Sequence, residues 1–370
     1  MTTARSTLRT RFTATAGYSL MELIISMGIM TIVMGATLGG LANASKANEA
    51  VLHLTGMNGS VRAGMDLMVR DLLQVGSGLP PGHVIQIPSG AGATPIRIPG
   101  PPGTAFTSTV GDLDIGAVVP NPGLGHPVNG SPTDVVTILT ADNAFLNVPL
   151  TAITPTTVDV APGPDMATGP DRVTPGQLMM VSKGSTTTLL QVTDVNLGSR
   201  RLTFAPSDSL NLNQSGAAAG NLPALNAADP ANTPSAANIT RIRMVTYYLD
   251  ATTDPSHPRL VRRINNGDAM NFNNNAGNAV AIDVENLQFT YDLVDGNTNP
   301  ANVRMTPADR DGTGRCAPNP CTEAQIRKGN IALTGRSRNA VNRKLQAFRN
   351  TLATQVSFRG MAFVDEYRAP

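Results

Sequence analysis

Tryptophan is missing from this chain, aromatic residues make up 4% of it, charged residues only 15%, and cysteine occurs twice. With 35 glycines and 28 prolines in 370 residues, the composition argues against a helical bundle and for short strands joined by long loops. No Lys/Arg cluster of the kind that follows a phosphate backbone is present, so no nucleic-acid partner is expected. P-loop, dinucleotide-binding, nucleophile-elbow and Cys/His zinc strings are also absent. The four histidines, His53, His83, His126 and His257, are scattered without metal-type or triad-type neighbours. No residue is therefore assigned to catalysis, no cofactor is called for, and the expectation is a protein that is not an enzyme.

What is present is concentrated at the N-terminus. Residues 1–17 are short, Thr-rich and basic, with Arg5, Arg9 and Arg11 and no acid. Without them the 28 basic residues fall to 25 against 26 acidic ones, so the formal charge of +2 disappears. An apolar run over residues 18–42 follows, with Glu22 as its only charge. A hydrocarbon core of about 30 Å is crossed by ~20 helical residues, so the run is long enough to span a bilayer with the arginines on the cytoplasmic side. In a secretory signal the small residues for cleavage come after the apolar segment, which is then lost. Here Ala14, Ala16 and Gly17 precede it.

The string Gly17-Tyr18-Ser19-Leu20-Met21-Glu22 resembles the type III signal of prepilins, with a Gly before the scissile bond, an aromatic first mature residue and Glu at the fifth mature position. The family more usually has Phe where this chain has Tyr18. The Pro that often kinks this helix in major pilins is missing, since none occurs between Tyr18 and Leu79. The resemblance implies cleavage by prepilin peptidase after Gly17, methylation of the Tyr18 amine, and pairing of a neighbouring subunit's amine with Glu22 during assembly. An ionised carboxylate in an apolar span costs roughly 2.5–3.5 kcal/mol, which is the physical reason Glu22 needs such a partner. Gly35 and Gly39 form a small-residue step that lets helices approach closely in lipid.

Beyond Lys46 the pattern becomes amphipathic. Leu54, Met57, Val61, Met65, Met68, Leu72 and Val75 recur at steps of three and four and predict one buried stripe. The long helix is placed over residues 18–75, its first part, 18–42, crossing the membrane or forming a filament core. Residues 76–131 are dense in Pro and Gly and predict an irregular, surface-lying connection. Strand-like runs are read at 134–140, 177–182, 186–194, 201–204, 239–249, 259–264, 287–293, 330–334 and 354–364, and together they predict an antiparallel sheet resting on the helix. The stretch 211–238, rich in Ala, Asn and Pro, is read as a low-complexity surface loop.

Tyr247-Tyr248-Leu249 with Arg259-Leu260-Val261-Arg262-Arg263, then Val284-Glu285-Asn286-Leu287-Gln288-Phe289-Thr290-Tyr291, the segment 326–337 and the closing Gln355-Val356-Ser357-Phe358-Arg359-Gly360-Met361-Ala362 look like PilW-type minor pilins and the related J-type pseudopilins of type II secretion. That resemblance implies a pilin-like α+β fold over three parts: a leader at 1–17, the helix at 18–75 and a β-rich body at 76–370 with long insertions. It also implies major and other minor pilins as partners through the helix. Before assembly the chain would cross the inner membrane once, with its body outside the cytoplasm; afterwards it would belong to a pilus. A J-type minor pseudopilin of a type II secretion system, a pilus-tip adhesin and an enzyme tethered by the helix are the alternative functions.

Two late features complete the reading. Asp309-Arg310-Asp311-Gly312 opens like a calcium loop, with Asp309 and Asp311 as candidate ligands, but the twelfth position from Asp309 is Pro320 where a bidentate acid belongs, and an Asp/Gly turn is the plainer reading. Cys316 and Cys321 enclose four residues, and no other cysteine competes. In an exported chain they read as a disulfide pinning a local turn.

Overall fold

The computed structural model describes residues 17–80, 83–101, 106–107, 114–227, 237–252, 254–265, 277–293, 326–340 and 347–361. Asp309, Asp311, Cys316, Cys321 and residues 1–16 lie outside the described residues. The class is α+β, with one long N-terminal helix, Leu20–Leu72, and a body of antiparallel sheets. Two units divide inside that helix, residues 1–53 and 54–370.

In the body, the stripe read from the sequence is the buried face. Met57, Val61, Met65, Met68, Leu72 and Val75 are buried, and Leu54 packs at the margin. The helix closes at Leu72 rather than at residue 75, and Gly76 takes the left-handed φ of 73° while its N–H donates to Leu139 O at 3.1 Å. Glycine fits there because an L side chain at that φ is strained.

The strand Ala237–Asp250 organises the main sheet. It pairs antiparallel with Val135–Ala141, Val148–Ile153, Leu178–Lys183 and Arg259–Ile264 at successive parts of its 14 residues. Twelve of those residues are buried, because both faces are covered. Alternation along the strand separates two cores: Val245, Tyr247 and Leu249 join the helix stripe, whereas Ile242, Met244 and Tyr248 join a second cluster with Ile85, Ile87, Ile96 and Leu178. A third core, around Phe145, Val158, Leu190, Leu202 and Phe204, lies under the outer strands.

A separate three-stranded sheet, Val284–Leu293, Ile326–Ala340 and Ala347–Ser357, supplies Leu287, Phe289, Tyr291, Ile331 and Leu333 to the helix stripe. It runs longer than the pattern at 330–334, and its last strand begins and ends earlier than 354–364, giving way to a 3₁₀ turn at Arg359–Met361. Helix and strands approach closely. A Cβ on Gly335 would stand 2.5 Å from Val61 Cγ2, and one on Gly64 2.9 Å from Ala281 Cβ, so both glycines allow contacts that any side chain would prevent.

Two expectations are corrected. The segment 76–131 is not merely a surface connection: it contributes short strands such as Val84–Gln86 and Val118–Asn121, and Ile85, Ile87, Ile96, Ile98 and Ile115 are buried. Nor is the described part of 211–238 a loose surface loop. Leu212, Leu222 and Leu225 are buried, and a short helix forms at Leu222–Ala227. Asn213 Nδ2 donates to Gln191 O at 2.7 Å while Gln191 N donates to Asn213 Oδ1 at 3.0 Å. Gln191 Oε1 in turn accepts from Ser209 N at 2.9 Å. Polar side chains standing in for a strand partner fasten this segment, and composition gives no sign of it.

One ionic knot joins helix and sheet. Asp71, 8% exposed, accepts from Tyr247 Oη at 2.6 Å and from Arg262 Nε and Nη2 at 2.5 and 3.1 Å. Burial, reinforced by Asp71, pushes the Tyr247 hydroxyl far above its ordinary range. Asp71→Ala strands the Arg262 charge and is expected to cost about 3–5 kcal/mol. Tyr247→Phe is expected to cost about 1–3 kcal/mol. Urea unfolding of the full chain in detergent micelles measures both. A double mutant whose losses simply add would show that the knot is not a unit.

His83 is 5% exposed with neither ring nitrogen hydrogen-bonded among the described residues. Desolvation, then the Arg327 cation, lowers its pKa, against a smaller opposing effect of the Gly76 backbone beside the ring. Well above the ordinary imidazole pKa of about 6.5 both folded and unfolded chains hold this ring neutral. As pH falls through that value the unfolded chain takes up the proton first, so stability drops until the folded pKa is reached. The melting temperature is therefore expected to fall between about pH 7 and 5 more steeply for wild type than for His83→Asn, which removes the titration and tolerates the positive φ of 53°. Parallel curves for the two proteins would contradict this.

Candidate functional site on the N-terminal helix

The first helical turn is built by Ser19. Its Oγ accepts from Glu22 N at 3.1 Å, and its carbonyl accepts from Glu22 N at 3.0 Å and Leu23 N at 3.2 Å, so Ser19 caps a helix that begins at Leu20. Ser19 and Glu22 have the spacing of a capping box, and Glu22 also lies where the helix dipole favours negative charge. That role went unseen in the sequence, although Ser-x-x-Glu ahead of an apolar run is its signal.

Gly17 and Tyr18 precede the helix in non-helical backbone, and Tyr18 is 83% exposed. Glu22 forms no ion pair among the described residues.

Beyond Glu22 the surface is apolar all round. Ile32 is 74% exposed, Met30 70% and Ile24 60%, and Leu20 and Met21 just before Glu22 are as open. The hydroxyls in this stretch are satisfied by their own helix: Ser26 Oγ donates to Leu23 O at 3.0 Å, Thr31 Oγ1 to Met27 O at 2.7 Å and Thr37 Oγ1 to Met34 O at 3.0 Å. No polar side chain here, apart from Glu22, therefore demands water, which suits a lipid or protein surrounding. A Cβ on Gly35 or Gly39 would meet nothing within 4 Å, so the close approach their spacing permits involves no described part of this chain. Met27, Met30, Thr31, Met34 and Leu38 form a shallow groove beside Gly35. Among the described residues this is the one helix long and apolar enough to cross a membrane, by length and composition.

Elsewhere, no three His, Cys, Asp or Glu side chains among the described residues converge as a metal-ligand set. His257 lies 2.6 Å from Asp283, a pair separated by 26 residues and invisible to a search for sequence neighbours. Compared with family models, with curated proteins and with solved structures, the chain matches none of them.

Proposed function

We propose that the chain is a type IV pilin-like minor subunit of the PilW type, cleaved by prepilin peptidase between Gly17 and Tyr18 and built into a filament through its apolar helix. The observation that carries this reading is an exposed, all-round apolar helix with one carboxylate, Glu22, in its first turn, directly behind an open Gly17-Tyr18 bond. Apolar surface is worth about 25 cal/mol per Å² when removed from water, so such a helix leaves water either for lipid or for the apolar faces of other helices. In either surrounding Glu22 needs a positive partner. A neighbouring subunit's freed Tyr18 amine supplies one, attracting it by roughly 4 kcal/mol at about 4 Å and an effective dielectric near 20, before desolvation is subtracted. That pairing sets the axial register between subunits. The role is assembly; the reading needs no cofactor and gives calcium no part.

Mass spectrometry of protein from cell envelopes is expected to find Tyr18, N-methylated, as the first residue. An intact leader, or a cut beyond residue 42, would point to a plain anchor or an ordinary signal. For Glu22→Ala the expectation is normal cleavage and insertion with a several-fold loss from the sheared-filament fraction. Ser19→Ala, which weakens the first turn by about 1 kcal/mol and leaves the carboxylate in place, should assemble nearly as wild type does. Equal losses from both variants would assign Glu22 to capping rather than to register.

A further inference from the structure

The described part of the body contains a cleft of about 1050 Å³, walled by the strands Ala237–Asp250 and Arg259–Ile264 and by the turn preceding Leu178–Lys183. Among the described residues, Arg172, Arg241, Arg243, Arg262 and Arg263 line it, against one acid, Asp142. That acid is already used. Asp142 Oδ2 lies 3.0 Å from Arg241 Nη2 and 3.1 Å from its Nε, and Arg241 also donates to the carbonyls of Arg172 at 2.9 Å and Pro170 at 2.6 Å, which fixes its guanidinium in the wall. Arg262 is neutralised by Asp71, and Arg263 donates to Gly100 O at 3.2 Å.

Arg243, half-buried, and Arg172, exposed, form no side-chain hydrogen bond or ion pair among the described residues. Gln177 Oε1 is buried in the same wall without a hydrogen-bond partner among the described residues, and its amide can turn over to present an NH₂ instead. A concave site with an excess of one sign of charge focuses its field on ligands of the other. Guanidinium forks match phosphate and carboxylate in pairs of parallel hydrogen bonds.

We propose that this cleft binds a ligand carrying two or more oxyanion groups, phosphate or carboxylate, with Arg243 and Arg172 as its ion-pairing donors and Arg241 as a fixed wall. The size favours several groups over one, since the volume is that of a pocket for a whole small molecule. The inference is independent of the role of the N-terminal helix.

Calorimetric titration of the full chain in non-ionic micelles at low salt, with tripolyphosphate in one arm and citrate in the other, provides the test. Saturable binding in at least one arm is expected, and the arm that saturates tells phosphate from carboxylate. Arg243→Ala should weaken it about tenfold, the loss of one charge-assisted bond. Arg172→Ala should weaken it severalfold and, being an exposed substitution, keeps the test available if Arg243→Ala does not fold. Arg201→Ala, whose partner Asp159 lies on another strand outside the cleft, should leave it unchanged. No saturation in either arm at millimolar ligand, or affinity unaltered by both Arg243→Ala and Arg172→Ala, would overturn the proposal.

Discussion

The body depends on one helix face being buried between two sheets. Met57, Val61, Met65, Met68 and Leu72 take Val245, Tyr247 and Leu249 from the main sheet and Leu287, Phe289 and Leu333 from the C-terminal one, so neither sheet has a complete core without the helix. The close approaches at Gly64 and Gly335 set how near the backbones lie, and a residue with a side chain at either place would force them apart. Asp71, one residue from the helix end, then ties this face to the central strand through Tyr247 and Arg262. A carboxylate among apolar neighbours is tolerated there because three donors meet it.

The same helix carries two different chemistries in succession. Over residues 20–42 it is apolar on every side, with its hydroxyls turned back onto its own carbonyls. From residue 54 it has one apolar stripe and is polar elsewhere. A surface that is apolar all round has no preferred inner face and calls for a surrounding medium; a striped one specifies a single packing partner. An exposed apolar span and a body-packing stripe are therefore written into one element without competing for the same residues.

Much of the architecture was legible because periodicity is a local property. Steps of three and four marked the buried stripe residue by residue, and the strand at 259–264 was read with the bounds it has in the structure. Order that comes from polar side chains was not legible in this way. Residues 211–227 lack the density of large apolar residues that marks a core, yet the Asn213–Gln191 exchange and the burial of Leu222 and Leu225 seat them on the sheet. Residues 76–101 were illegible for the opposite reason: Pro and Gly dominate by number, but the isoleucines between them hold the segment down.

The sequence by itself determined the features that depend on near neighbours: the apolar run with its lone Glu22, the Ser19 cap spacing, the amphipathic stripe and most of the longer strands, since each is an order over a few consecutive residues. Tertiary structure decided what joins across the chain. Asp71 meets Arg262 over 191 positions, and Arg172, Arg241 and Arg243 share one cleft only because antiparallel pairing places their strands and turn together. Pairing register is a global outcome, set by which faces can be buried at once, and no local pattern encodes it.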